Sequence, residues 1–182
     1  MRKVLFILGD LSDADIEWLA AASERKSFAK GSVLIQEGKA IGEVYILLDG
    51  QLSVLVQSRR NERIATLQKG EIVGELSFLD SRPPSATVVA ATNSIVLAIS
   101  RDKLAAKLER DTGFAARFYR ALGVFLADRL RNTTQRLGFG NSDSPLVEDA
   151  VDEIDPELLA SVSIAAKRFE LLVERFKDRW EN

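Results

Sequence analysis

The sequence contains no cysteine and no histidine. The first absence excludes disulfides, thiol catalysis and thiolate metal sites. The second removes the commonest general base and the commonest transition-metal ligand. A carboxylate-only site for a hard cation is the metal chemistry that is left, and no loop spaces its oxygens for one. Charge of one sign is lacking too. The 25 lysines and arginines against 27 acids leave a formal −2, with no global pull toward nucleic acid or an anionic membrane. No window approaches the ~20 apolar residues of a membrane span. Arg2 and Lys3 followed by Val4-Leu5-Phe6-Ile7-Leu8 superficially look like a signal peptide. That run is too short for an apolar signal core, and Asp10, Asp13, Asp15 and Glu17 follow at once. Together these absences predict a soluble, cytoplasmic protein that neither enters a membrane nor binds nucleic acid.

What is present is an ordinary globular composition, 46% hydrophobic and 29% charged with only 4 prolines. At 182 residues it suits one domain and an appendage. Ser12-Asp13-Ala14-Asp15 has the form of a capping box, opening a short amphipathic helix with Ile16, Trp18, Leu19 and Ala20 that runs to about Ser23. From Phe28 to Ile99 the texture changes to short β-branched runs: 32–36, 43–48, 52–57, 63–67, 85–91 and 94–99. The breaks fall at Gly38, Gly50, Arg59–Glu62, Gly70 and Thr92-Asn93. This pattern predicts a mainly β fold with flanking helices, an antiparallel, jelly-roll-like β-roll of about eight strands. Inside it, Gly74 to Pro84 reads as no strand. Glu75–Leu79 fits one helical turn, and Pro83-Pro84 forces an extended loop lacking two amide donors. An irregular insert in an all-β region is where function tends to sit.

After Ser100 the pattern turns helical. Ser100 is placed to cap 101–110, and Asp111 or Thr112 to cap a longer helix to about Leu137. Phe114, Phe118, Leu122, Phe125, Leu126, Leu130 and Leu137 recur along it at helical spacing, with Arg117, Arg120, Arg129, Arg131 and Arg136 on the outside. Asn141 to Glu157 then carries seven acids and no base, as a solvated linker would. Pro156 suits the first turn of a last helix, along which Leu158, Val162, Ala165, Phe169, Leu172 and Phe176 alternate steps of four and three. The expected division is therefore 1–138 for the roll with its long helix, 139–156 for an acidic linker and 157–182 for a C-terminal helix.

Gly42-Glu43-Val44-Tyr45-Ile46-Leu47-Leu48-Asp49-Gly50, then Ile64-Ala65-Thr66-Leu67 and Gly70, resemble the first half of a cyclic nucleotide-binding domain. Gly74-Glu75-Leu76-Ser77-Phe78-Leu79, then Ser85-Ala86-Thr87-Val88, resemble that family's phosphate-binding cassette. The resemblance covers roughly residues 11 to 137. Catabolite activator proteins, cyclic-nucleotide-dependent kinases and gated channels share the family, so fold alone does not set the output.

The resemblance implies that Glu75 grips a sugar 2′-hydroxyl and that backbone amides near Leu76, Ser77, Ser85 and Ala86 face a phosphate. On physical grounds, Gly74 lets a ligand approach the backbone closely, and the turn it opens offers free amide donors. A carboxylate such as Glu75 is a two-oxygen acceptor for a hydroxyl pair. The plainer alternative is that Glu75 caps the turn or is solvated. One position departs from the family. The arginine that usually precedes the small-small-Thr/Ser segment is replaced by Pro84, which removes a charge-assisted contact of about 1.5–3 kcal/mol. Arg82 is either a substitute reaching in from the loop or a solvated loop arginine.

Two functions compete. In one, the module senses cAMP, cGMP or a related cyclic nucleotide at Gly74, Glu75, Leu76, Ser77, Arg82, Ser85, Ala86 and Thr87, and relays it through the long helix to a partner. In the other, the same fold is a non-ligand-binding protein–protein scaffold. The resemblance also implies a homodimer through 112–137, and the heptad-like 157–182 seam either meets a protein partner or packs back on the chain. No prosthetic group is implied. A helix-turn-helix would need a basic recognition helix. Lys167, Arg168, Arg175, Lys177 and Arg179 instead alternate with Glu170, Glu174, Asp178 and Glu181. No residue pair sits in a motif that sets a nucleophile against a base, so no enzyme is expected.

Overall fold

The computed structural model describes residues 9–57, 62–138 and 166–171. Residues 9 and 10 are helical, and the chain breaks at Leu11 before α1 (Asp13–Ala22). The capping box is present: Ser12 N donates to Asp15 Oδ2 at 2.7 Å, and Asp15 N to Ser12 Oγ at 3.3 Å. Eight strands follow: β1 (Ser23–Phe28), β2 (Val33–Ile35), β3 (Glu43–Asp49), β4 (Leu52–Val56), β5 (Glu62–Leu67), β6 (Ile72–Val73), β7 (Thr87–Ala90) and β8 (Ser94–Ser100). Helix α2 (Glu75–Asp80) interrupts them between β6 and β7; α3 (Arg101–Arg110) and α4 (Thr112–Gly138) follow β8.

The strands form two four-stranded antiparallel sheets, ordered β1-β8-β3-β6 and β2-β7-β4-β5. Side-chain alternation divides the core into two compartments. Tyr45 and Leu47 of β3, Val73 of β6 and Val96 and Ala98 of β8 point into the roll. There they meet Leu34, Ile35, Leu52, Leu67, Val88 and Ala90. Val44, Ile46, Leu48, Ile72, Leu97 and Ile99 point the other way, under Leu11, Ile16, Leu19, Leu104, Leu108, Phe114, Phe118, Leu122 and Phe125. β3 is thus buried on both faces, which is why its sequence is a continuous apolar run rather than an alternating one.

Two strands went unread in the sequence. β1 is SERKSF, too polar to signal a strand, yet it pairs with β8 from Ser23–Ile99 to Phe28–Ser94 and satisfies that strand's outer backbone groups. β6 is two residues long, below any periodic signal. Ser100 occupies the N-cap of α3 but makes no side-chain capping bond, whereas Asp111 Oδ1 accepts from Phe114 N at 2.8 Å at the start of α4. The expected linker 139–156 lies outside the described residues, as does 157–182 apart from 166–171. Within that segment Ala166 and Phe169 pack against the helix-covered compartment, on the chain's own roll.

Candidate functional site

Gly74 opens the insert between β6 and β7. Its φ is +88°, and a Cβ there would stand 2.9 Å from Ile41 Cδ1 and 3.0 Å from the Glu43 carbonyl oxygen. The left-handed conformation therefore favours glycine, and the Glu43 carbonyl leaves a Cβ little room. Phe78 N donates to Gly74 O at 3.1 Å and closes the first turn of α2, and Phe78 packs edge-on against Phe118 of α4, centroids 6.3 Å apart. Ser77 is buried; its carbonyl accepts from Ser81 N at 3.1 Å and from Arg101 Nη2 at 2.8 Å. Arg101 Nη1 also donates to Ile41 O at 3.1 Å, so one guanidinium ties α2, α3 and the β2–β3 loop together.

Glu75 is 3% exposed, which rules out the solvated alternative. Its Oε1 lies 2.5 Å from Arg129 Nη1 of α4, and the same guanidinium sits 5.4 Å over the Phe125 ring. Burial pushes the Glu75 carboxyl above its ordinary range; the Arg129 charge opposes that rise, and Glu71 adds to it. A buried carboxylate with a cationic partner is suited to accept from ligand hydroxyls, provided the ligand takes over or shares the place of Arg129.

The segment after α2 is fastened from outside. Gly38 N donates to Pro84 O at 2.8 Å, and Glu37 N to Thr87 Oγ1 at 3.1 Å. Glu37 in turn accepts from Gln57 N at 2.8 Å. Ser85 is exposed and Ala86 half-buried, both beside this fastening. Arg82 is 84% exposed, its Nε 3.8 Å from Asp80 Oδ2. Leu76 is exposed on the outer side of α2. Gly74, Glu75, Ser77, Arg82 and Ala86 lie in one continuous insert that ends at Thr87 of β7, with Arg82 exposed. A cavity of about 500 Å³ between α2, α3 and α4 reaches this insert only through Phe78 and Ser81, and includes neither Gly74 nor Glu75.

Residues 25–111 match the model of the cyclic nucleotide-binding domain. That stretch spans β1 to the end of α3 and contains the whole insert. It belongs to the cyclic nucleotide-binding domain family. Among curated relatives, a cGMP-dependent protein kinase of Eimeria tenella is 32% identical over 94 residues, 52% of this chain and 9% of that protein. A cAMP-dependent protein kinase regulatory subunit of Candida albicans is 31% identical over 96 residues, 53% of this chain and 20% of that protein. The chain thus spans a fifth or less of these two relatives. A cyclic nucleotide-binding domain from Methylobacillus flagellatus KT superposes with a TM-score of 0.69 at 22% identity, over 80% of this chain and 85% of that one. These likenesses give the chain a catabolite-activator-like, cyclic nucleotide-binding fold.

Two residues that contact the insert escaped the sequence. Arg129 was grouped with the outer arginines of the long helix, yet it stands at i+7 from Leu122 and i+4 from Phe125, on the apolar face itself. Arg101 directly follows a residue read as a cap. Neither belongs to a short motif; each meets the insert through a tertiary contact, Arg129 with Glu75 and Arg101 with the Ser77 carbonyl. No helix among the described residues is long and apolar enough to cross a membrane.

Proposed function

We propose that the chain is a regulatory, non-enzymatic signalling module of the cytoplasm. Its insert, with Gly74, Glu75, Leu76, Ser77, Ser85, Ala86 and Thr87, takes a cyclic nucleotide of the cAMP or cGMP kind. The kinase and kinase-regulatory relatives support that ligand class. The observation that carries the reading is the Glu75–Arg129 pair. The carboxylate expected to grip a ribose hydroxyl is engaged by the long helix, so occupancy of the site and the position of the distal half of α4 are coupled events. A ligand that prefers one arrangement shifts the helix by its differential affinity. The receiver is a partner at α4, either a second copy of the chain through 112–137 or another protein; no nucleic acid is involved.

The test is a thermal-shift titration with cAMP and cGMP. A specific ligand at one hundred times its dissociation constant adds about 2.7 kcal/mol, raising Tm by roughly 5–11 °C for this size. The rise is expected to saturate and to vanish in Glu75→Ala. A rise that persists unchanged in that variant removes the insert as the site.

Pro84 and the exposed Arg82 favour a second reading, the same fold as a ligand-free protein–protein scaffold. Pro84→Arg separates the two. Under the sensing reading it raises cyclic monophosphate affinity by about one to two decades. A parent and variant that are both silent favour the scaffold.

A further inference from the structure

The 166–171 helix lies against the opposite end of the chain, anchored by Arg168. Its Nη1 donates to the carbonyl oxygens of Gly9 at 3.2 Å and Leu11 at 2.6 Å, and its Nε to Asp13 Oδ1 at 2.8 Å. Residues 9 and 10 are helical and Leu11 departs, so these carbonyls are among those a helix end leaves without intrahelical donors. A cation is favoured there. The Asp13 carboxylate is 87% exposed and screened by solvent, so the two carbonyls rather than the carboxylate set the guanidinium's position.

The next residue, Phe169, enters the helix-covered compartment beside Ala166, and Lys69 Nζ stands 5.4 Å over its ring. Lys69 begins the turn between β5 and β6. Gly70 N donates to Leu47 O at 2.6 Å and Leu47 N to Glu71 O at 2.9 Å, so the turn is laced to β3 before running through β6 into Gly74 and Glu75. Glu71 is buried and its charge is felt at Glu75. The terminal helix therefore bears on the one segment that leads straight into the insert.

We propose that residues 166–171 form a releasable clasp in cis: this chain's own helix, anchored by Arg168 and Phe169, docks across the 9–13 segment and the β5–β6 turn, and its docking is thermodynamically linked to the order of residues 68–72. The occupant of this surface is the chain itself. A second copy or a free tail are the competing arrangements, and both are outcomes of the test. The clasp stands apart from any nucleotide, because its experiment uses none.

Hydrogen exchange of the full chain is measured for the wild type and Arg168→Glu. In the wild type, amides of 166–171 and 68–72 are slowed to the same degree at every protein concentration. In the variant both segments exchange at least tenfold faster, while β3 and β8 keep their protection and show the roll intact. Three results overturn the proposal. These are unchanged exchange in the variant, release of 166–171 without acceleration of 68–72, and protection that grows with protein concentration. If Arg168→Glu does not fold, Phe169→Ala is read against the same outcomes.

Discussion

The two halves of α4 are held to the domain by different means. The first half is sunk: Phe114, Phe118, Ala121, Leu122 and Phe125 are all buried. Phe114 stacks on Phe118 with centroids 5.7 Å apart and meets Trp18 of α1 edge-on at 5.3 Å. Arg117 adds a two-pronged pair to Asp15, 2.6 and 2.9 Å, joining α4 to the capping box of α1. The second half has little of this. Leu130 is 67% exposed; Leu126 packs against the core from the edge of this half, and the Arg129–Glu75 pair ties it to the candidate site. A helix fixed by dense packing at one end and more lightly at the other, with an ion pair into the candidate site, can move at its far end without unfolding the domain. That division is the physical form a relay would take.

The largest break in the comparison is expected from Phe125→Ala, at the end of the packed half. Emptying a side chain this buried costs about 3–5 kcal/mol, read from the denaturant midpoint at constant slope. A loss below about 1 kcal/mol would mean that the first half is not fixed by packing, and the contrast would collapse.

Next in size is Arg117→Ala. Burial acts to raise the Asp15 carboxyl, but the hydrogen bonds from Arg117 and Ser12 outweigh it and hold it at about 2. A folded pKa below the unfolded one contributes stability that is present above about pH 4 and is lost as pH falls toward 2. The lowered pKa corresponds to about 2 kcal/mol at neutral pH. Arg117→Ala removes the larger share of that gain and leaves the buried carboxylate with Ser12 alone, so a loss of about 2 kcal/mol and a flatter acid limb are expected. An acid limb identical to the wild type would detach Asp15 from the argument.

The pair in the second half has the opposite sign. Burial raises the folded Glu75 pKa above its unfolded value, so the folded state takes up a proton the unfolded state does not hold. Its contribution to stability therefore increases as pH falls from neutral toward the carboxylate range, where Asp15 begins to cost stability. Glu75→Gln is expected to abolish that increase while leaving the acid limb below pH 4 in place, with a change at neutral pH smaller than that of Arg117→Ala. Equilibrium unfolding from pH 7 to 3 reads both limbs in one series. A Glu75→Gln profile that keeps the wild-type slope above pH 4.5 would show that the carboxylate is not confined as its burial implies.

The same contrast decides what was legible in the sequence. The roll, the capping box, the insert and the long helix all announce themselves through local signals. β-branched runs between glycines, Ser12 with Asp15, the paired prolines and the 3.6-residue recurrence of Phe114, Phe118, Leu122 and Phe125 are each confined to a few neighbouring positions. Glu75 was visible because it follows Gly74 in a recognisable motif. Arg129 was not, because its partner lies 54 positions away and no local motif links the two, although its spacing from Leu122 and Phe125 puts it on the buried face. β1 was hidden for a related reason: Lys26 and Glu24 read as surface, yet the strand exists because β8 supplies the partner, and Lys26 pairs with Glu43 across the sheet at 2.6 Å. Terminal residues 166–171 showed an apolar seam but not its destination. Periodicity gives a helix a face; only the fold gives that face a neighbour.

The smallest expected effect is also the one that sharpens the comparison furthest. Leu130→Ser replaces an apolar side chain that meets little of its own domain, so monomer stability should change by no more than about 0.5 kcal/mol. Tyr119 and Val124 share its exposure on the same helix. If Leu130 lies in the seam of the homodimer proposed through 112–137, the variant keeps its unfolding midpoint at low concentration and loses its concentration dependence, and sedimentation equilibrium shifts toward the monomer. If the protein is monomeric throughout, neither quantity moves, and the distal half of α4 is held by its contacts within the chain, the Glu75 pair and the Leu126 packing among them. A loss of more than 1 kcal/mol at low concentration would contradict both cases. It would mean that the second half is packed on its own chain as firmly as the first, and an ion pair in the site could not govern it.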